Sequence, residues 1–463
     1  MTALRALRPT RAELVEMARL ATPLVLVNIG TMLMGVVDAI MLGHVSGTAL
    51  AAGALGNFYF WLASVVGYGL LLSLDPIMSQ AVGARDATGI ARGVQRGVVL
   101  TVLVTIVTSC LLVPAPAVLD QLRQPADVAP LAGAWARWSI AGLLPFFLFS
   151  VFRSSLQAIG SLRPILVAAL IGNVVNAALN WVLIFGHVGA SPGGVVGSSQ
   201  ATAIARWVMC VSVVALGWRT LHPALAPWRR DAFAWQPLRR MIALGLPIGF
   251  QFFAEFNAFG LATVMMGWIG TATLGAHEIA LNIASLTFMV PLGVSAAGSV
   301  MVGRAIGRGD VAAARRDAVA ALAVGVGFMA CSAIPLIFAP VFIASVYTTD
   351  PRTLAVAITI IPLAGVFQVF DGTQVVATGA LRGTGDTRVP MLIHLAGFWG
   401  VGIPLSAVLD LWLGQGATGI WWGLVAGLAT VATLHLLRTR HRFARDIERI
   451  VLDAPQRSAA AAR

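Results

Sequence analysis

The sequence predicts an all-α polytopic membrane protein: 12 transmembrane helices in two six-helix lobes, related by a pseudo-two-fold axis along the membrane normal. Three observations predict it. Of 463 residues, 58% are hydrophobic and only 11% are charged, whereas soluble domains carry about 25% charge. Twelve apolar runs are each long enough to cross a hydrocarbon core of about 30 Å at 1.5 Å rise per residue. The second half of the chain also repeats the first.

The runs lie near 21–43, 50–73, 96–119, 131–152, 165–186, 198–218, 241–268, 275–301, 317–342, 353–379, 390–413 and 417–437. Connections are short and leave no room for a separate soluble domain. The 48 glycines and 22 prolines do not argue for disorder, because membrane helices tolerate both. MTALRALRPTRAELVEMARL carries acids among its arginines and no small-residue cleavage site follows its apolar run, so the first helix is expected to stay as an anchor.

All 31 basic residues are arginine, and the formal charge is +12. Of these arginines, 27 fall at the termini or in connections that lie on one side of the membrane. The other side holds Arg123 and Arg352, and Arg137 and Arg206 fall within runs. By the positive-inside rule both termini are cytoplasmic. The positive charge is therefore topological and requires no nucleic-acid partner. Cys110, Cys210 and Cys331 sit far apart in apolar runs, where they are expected as small core residues without a disulfide framework or metal motif.

At a shift of 224 residues Pro23 meets Pro247, Gly43 meets Gly267, and VGARD (82–86) meets IGRGD (306–310). At 225, LQAIGSLRP (156–164) meets LRGTGDTRVP (381–390). An even number of spans per copy gives both copies the same orientation. The organisation expected is a cytoplasmic N-terminus (1–20), an N-lobe (21–218), a basic cytoplasmic linker (219–240), a C-lobe (241–437) and a basic cytoplasmic tail (438–463). Two such bundles with a cavity between them are a secondary-transporter plan.

Three acids lie deep inside the runs, away from their ends: Asp38, Glu255 and Asp371. An ionised carboxylate facing lipid is expensive. It faces a water-filled cavity, binds a cation or holds a proton, as a cation-coupled carrier requires. A structural acid bonded to Asn, Thr or a carbonyl is the competing reading for any one of them. Polar neighbours support a hydrated interior. Gln251, Glu255 and Asn257 cluster in run seven; Gln368, Asp371 and Gln374 recur every third residue in run ten. Asn173, Asn176 and Asn180 form one stripe in run five, where helix–helix bonding is the alternative. Phe252, Phe253, Phe256 and Phe259 surround Glu255, and aromatic faces attract organic cations, although at least two of the four are expected only to pack or meet lipid. Asp75, before Pro76, is expected to pair with a loop arginine or cap the continuing helix. His277–Glu278 reads as a proton relay or as a water-exposed helix end. Trp61, Trp181, Trp218, Trp268, Trp412, Trp421 and Trp422 suit interface belts.

These stretches resemble the multidrug and toxic compound extrusion (MATE) transporters, in their bacterial NorM-like branch. The resemblance runs from Ala21 to Arg438. It rests on VDAIMLGHVSGTALAAGALG (37–56), QAVGARD (80–86), LQAIGSLRP (156–164), GNVVNAALNWVLIFG (172–186), PIGFQFFAEFNAF (247–259), VGRAIGRGD (302–310), FQVFDGTQVVATGALRGTGDTRVPM (367–391) and GIWWGLVAGLA (419–429). It implies export of cationic amphiphiles in exchange for Na⁺ or H⁺ across the bacterial cytoplasmic membrane, by a chain expected to work as a monomer among membrane lipids. Asp38 would handle protons or substrate, with Asn176 and Asn180 lining that N-lobe site. Glu255 and Asp371 would form the C-lobe ion site, holding Na⁺ if Na⁺ is the coupling ion. Gln251, Phe252, Phe256, Asn257, Gln368 and Gln374 are the expected cavity polar and aromatic groups. Asp75–Pro76, Glu278 and SPGGVVGSSQ depart from the family's usual pattern. No cofactor is expected, and no HExxH-type cluster or nucleophile–base pattern points to an enzyme. The alternative is a lipid-linked precursor flippase or polysaccharide exporter, which would need arginines in the cavity to meet a phosphate.

Overall fold

The computed structural model describes residues 9–122 and 124–453. Arg5, Arg8, Arg123, Arg457 and Arg463 lie outside the described residues. Twelve helices match the expected runs one for one: α1 (Arg11–Gly43), α2 (Gly47–Gly83), α3 (Ala87–Leu112), α4 (Ala129–Ile159), α5 (Arg163–Phe185), α6 (Gly194–Leu225), α7 (Trp235–Ile269), α8 (Thr271–Gly307), α9 (Val311–Phe338), α10 (Pro351–Gly383), α11 (Arg388–Trp412) and α12 (Gly416–Phe443). The first six form one lobe and the last six the other. The bundle end where α1 starts and α12 finishes is termed the terminal face.

Most helices extend past the apolar runs at the terminal face, where charged residues end a hydropathy window without ending the helix. α1 begins at Arg11 because Thr10 caps it: the Thr10 side chain accepts from the Glu13 amide, and the Glu13 carboxylate accepts from the Thr10 amide. The helix of the 96–119 run ends earlier than expected. It stops at Leu112, and Ala115–Gln121 form a separate short helix after Pro114. α11 is irregular: 395–402 and 408–412 take π-helical turns on either side of Pro404, a wider winding that often marks functional helices.

The repeat motifs are the turns of the terminal face. Asp86 caps α3 by accepting from the Gly89 amide, and Asp310 caps α9 by accepting from the Ala313 amide, both at 2.8 Å. The residue before each cap, Arg85 or Gly309, has positive φ. The glycines in the second motif, Gly160 and Gly385, also have positive φ, a conformation glycine adopts without steric cost.

Lobe meets lobe where α2 packs on α7 and α1 on α8, with the last turns of α2 also against α8. The contacts are reciprocal. A Cβ at Gly83 would overlap the Arg304 carbonyl, and one at Gly307, its repeat counterpart, would overlap the Gln80 carbonyl. Gly69 lies against Gly249; its counterpart Gly293 lies against Val25, the counterpart of Gly249. This reciprocity is what a pseudo-two-fold axis between the lobes produces.

The linker and tail are more ordered than a basic loop and a basic tail suggest. α6 runs on to Leu225 and α7 starts at Trp235. Residues 444–453 lie across the terminal face. Arg449 donates to Asp86 (2.6 Å), the Ile450 amide to Gln80 (2.7 Å), and Arg240 to the Leu452 carbonyl (2.6 Å). Asp453 pairs with Arg96 and Arg92.

Several expectations are corrected. Cys110 and Cys331 are exposed, and only Cys210 is buried; small apolar side chains are also at ease against lipid. Trp421 is fully buried, packed on Phe367 and His277. Trp61 joins an interior aromatic group with Phe60, Tyr68 and Phe146. Trp181, Trp218, Trp268, Trp412 and Trp422 are exposed, as a belt requires.

Candidate substrate and coupling-ion sites

A cavity of about 610 Å³ lies between the lobes. Its C-lobe wall is built from α7, α8 and α10. Gln251, Phe252, Glu255, Phe256 and Phe259 face it from α7, at the three- and four-residue spacing that keeps a helix face in line. Asp371 and Gln374 face it from α10. The Gln374 amide nitrogen joins the two acids, donating to Glu255 Oε1 (3.2 Å) and to Asp371 Oδ1 (3.1 Å). Both N–H groups of one amide are thus spent on two carboxylates, and Gln374 Oε1 has no partner among the described residues. Glu255 Oε2 points the other way, 3.8 Å from His394 Nδ1 on α11. The far nitrogen of His394 meets the Gln251 amide at 3.1 Å.

The structure thus brings together Glu255 and Asp371, the two acids expected from sequence to share a site. Two carboxylate oxygens converging on one N–H₂ group make a place where a proton, a Na⁺ ion or the cationic group of a larger molecule can replace a hydrogen-bond donor. Among the described residues, no group of three or more His, Cys, Asp and Glu side chains could hold a metal ion. Two carboxylates alone form part of a Na⁺ shell, which takes its other oxygens from water, carbonyls or cargo.

The N-lobe wall carries Asn28, Trp61, Tyr68 and Arg153. The floor, toward the terminal face, is polar. Asp75 accepts from Ser154 (2.7 Å) and pairs with Arg382 (3.6 Å). Both members of this ion pair are about 95% buried, at 5% and 7% exposure. Asp75 belongs to one lobe and Arg382 to the other, so the pair ties the lobes together. Its partner is thus a helix arginine, and the helix cap expected as the other option is absent.

Arg153 and Arg382 correct the sequence reading, which placed both in connections or the helix ends beside them and not on a cavity wall. α4 continues to Ile159 and α10 to Gly383, so both lie inside helices and on the cavity wall. A hydropathy run ends where an arginine begins, and this hides an arginine that turns inward. Arg137 is exposed and donates to the Val113 carbonyl. Arg206 is buried, with its guanidinium 4.2 Å from the Phe60 ring centroid and 5.0 Å from that of Phe146.

A second polar centre lies inside the N-lobe, apart from this cavity. Asp38 on α1 accepts from Asn180 and from Thr202 (2.9 Å). Asn180 also donates to Asn176, and Asn176 donates to Thr202, both at 3.2 Å. Every atom of Asp38 that can accept is engaged by neutral donors. The expected trio Asp38, Asn176 and Asn180 is thus brought together. Thr202 was missed; its only signal is an in-span hydroxyl four residues before Arg206.

Other candidates fall away from both centres. Asn257 donates to the Phe253 carbonyl of its own helix, and Phe253 is off the cavity wall. Gln368 is buried between helices, accepting from Thr287 and donating to Ser332. Asn173 donates to Ala169 on its own helix. His277 is buried against Thr263 and Trp421, whereas Glu278 is exposed, as at a water-exposed helix end. Three of the four phenylalanines around Glu255 line the cavity, one more than expected.

Comparison with known proteins decides what these lobes are. The MatE family model matches residues 23–182 and 247–408, one copy per lobe. The chain belongs to the MatE family. It is 35% identical over 444 residues to the probable multidrug resistance protein NorM of Mesorhizobium japonicum, covering 93% of this chain and 94% of that protein. It is 37% identical over 433 residues to the multidrug resistance protein NorM of Burkholderia vietnamiensis, covering 91% and 92%. Among solved structures, the eukaryotic MATE transporter AtDTX14 superposes with a TM-score of 0.84 at 21% identity, covering 93% of this chain and 99% of that one. An outward-facing multidrug resistance MATE family transporter gives 0.85 at 19%, covering 96% and 98%. These last two show the fold. MatE membership makes the chain a multi-pass membrane transporter and not an enzyme.

Proposed function

We propose that this MatE protein is an antiporter that exports cationic amphiphiles across the cytoplasmic membrane in exchange for H⁺ or Na⁺. The observation that carries the reading is the Glu255–Gln374–Asp371 bridge, set beside Phe252, Phe256 and Phe259 in a cavity that both lobes share. A flat organic cation would stack on Phe252 and Phe256 and place its charge against the carboxylates. The coupling cation would compete for the same oxygens. Each would then weaken the other's binding by the same factor, which is the linkage that antiport needs. In this reading both termini are cytoplasmic, the lobes divide at 219–240, and the seam at the terminal face seals the cytoplasmic side. Asp38 serves as a second proton- or substrate-handling centre in the N-lobe, and one chain is the working unit.

Cavity charge bears on the lipid-linked precursor alternative. Arg153 and Arg382 favour it as an idea, because they put positive charge where a phosphate would sit. Asp75 neutralises Arg382, however, and Glu255 and Asp371 outnumber Arg153. The remaining balance is negative and favours cationic cargo.

The test is export of a fluorescent organic cation from proteoliposomes under an imposed pH or Na⁺ gradient. Gradient-dependent export supports the proposal, and absence of such flux across a broad panel of organic cations refutes it. Replacing Na⁺ by a bulky inert cation at fixed pH separates the coupling ions: unchanged export removes the sodium version.

A further inference from the structure

The cavity wall opposite the two acids holds a pair of donor groups with no anion among the described residues to accept from them. Arg153 on α4 donates from Nη2 to Asn28 Oδ1 on α1, at 3.0 Å. A guanidinium has donors only, so this contact fixes the orientation of the Asn28 amide: its oxygen faces Arg153 and its NH₂ faces away. Asn28 is only 7% exposed, and its Nδ2 finds no acceptor among the described residues. Arg153 has no carboxylate within 4.0 Å among the described residues, unlike Arg382, which is held by Asp75. Both Arg153 and Asn28 line the cavity.

A buried amide donor without an acceptor is costly, and native interiors rarely leave one. Beside it stands a cation whose only hydrogen-bonded partner among the described residues is neutral. The chemistry missing from this corner is an anionic oxygen.

We propose that Arg153 and Asn28 form a subsite for the carboxylate of substrates that carry a carboxylate as well as a cationic centre. The inference rests on the antiporter reading and deepens it. The cationic group goes to Glu255 and Asp371 on the C-lobe, and the carboxylate goes to Arg153 on the N-lobe, whose guanidinium Asn28 orients. Such a molecule spans the two lobes with opposite charges, so its binding senses their separation. A purely cationic substrate engages the C-lobe wall alone.

The probe is a matched pair of rhodamine dyes, one the ethyl ester (a cation) and the other the free acid (cation plus carboxylate). Binding to the full-length purified protein is read by fluorescence polarisation, and export by proteoliposome flux. Loss of a charge-assisted bond is expected to lower the acid-to-ester affinity ratio by about 10-fold or more in Arg153→Gln. Arg153→Lys should restore part of the ratio. Asn28→Asp provides a second variant that keeps a bonded partner on Arg153: its carboxylate fills the subsite from within and should lower the ratio as strongly. An unchanged ratio in both Arg153→Gln and Asn28→Asp overturns the subsite, as does an equal weakening of both dyes. Failure of the wild-type protein to bind or export even the ester overturns the antiporter reading beneath it. Ester transport with no ratio change overturns the subsite alone.

Discussion

Replacing Glu255 by Gln removes one charge from the bridged pair and nearly nothing else. The new amide oxygen still accepts from Gln374, so the C-lobe wall keeps its geometry. A cation about 4 Å from a carboxylate gains roughly 4 kcal/mol at an effective dielectric of 20 and about 1 kcal/mol in bulk water. The Glu255 side chain is 15% exposed and opens on a cavity, between those limits. A loss of about 2 kcal/mol is expected, equivalent to roughly 30-fold weaker binding of an organic cation. Gradient-driven export should fall at least as far, because the coupling cation loses the same oxygen. The folded protein should hold or gain thermal stability, since a neutral amide is cheaper to bury than a carboxylate. The assay pairs dye binding and coupling-ion binding on the purified variant with its export rate in proteoliposomes. Wild-type values for all three would refute the reasoning and leave Glu255 as a structural acceptor.

Asp371→Asn should lower ion binding and export by a similar factor, and the double variant should cost less than the sum, as expected of residues sharing one partner; an additive result would mean two independent sites. Asp38→Asn should slow export while leaving ion binding at the C-lobe pair intact, measured by the same ion-binding assay. Asp75→Asn strands Arg382 in a buried setting and should destabilise the closed floor by about 3–5 kcal/mol, seen as a fall in melting temperature that Asp75→Asn with Arg382→Gln largely reverses. At the terminal face, the Gly89 amide and Arg449 hold the Asp86 carboxyl below the usual carboxylate range. A depressed pKa contributes stability above the unfolded value that is lost only as pH falls through the folded one. Docking of residues 444–453 should therefore persist through neutral pH and loosen only in acid, and Arg449→Ala should raise protease nicking of this segment at pH 7.

The helices, their number and the duplication were legible because each is a long-range pattern: a run, a parity or a shift of fixed length. The acids were legible for a local reason, since Glu255 and Asp371 interrupt apolar stretches where a charge must have a purpose. Which polar residues share a cavity was less so. Asn257 and Gln368 lie directly beside the cavity residues Phe256 and Phe367, but a helix turns about 100° per residue, so neighbours in sequence face different partners. Arg153 and Arg382 were misplaced because hydropathy treats an arginine as the end of a span. His394 gave no signal at all: its meaning depends on α11 packing beside α7, a contact between distant parts of the chain.

The reciprocal glycine contacts carry a consequence for how this molecule came to be and how it can change. Gly83 on Arg304 and Gly307 on Gln80 are one contact written twice, as in a homodimer whose two subunits happen to share a backbone. A half-length ancestor would have closed on a second copy of itself by the same fit. Fusion freed the halves to differ in their interiors, and they do: Asp38 has an alanine, Ala262, at its repeat position, and Glu255 has Thr31. At the seam side chains have changed too, Val25 for Gly249 and Gln80 for Arg304, but the close backbone fit has not, because each turn there is both a surface and the mould for its counterpart. The two lobes can therefore diversify in what they carry while remaining bound to a common way of meeting.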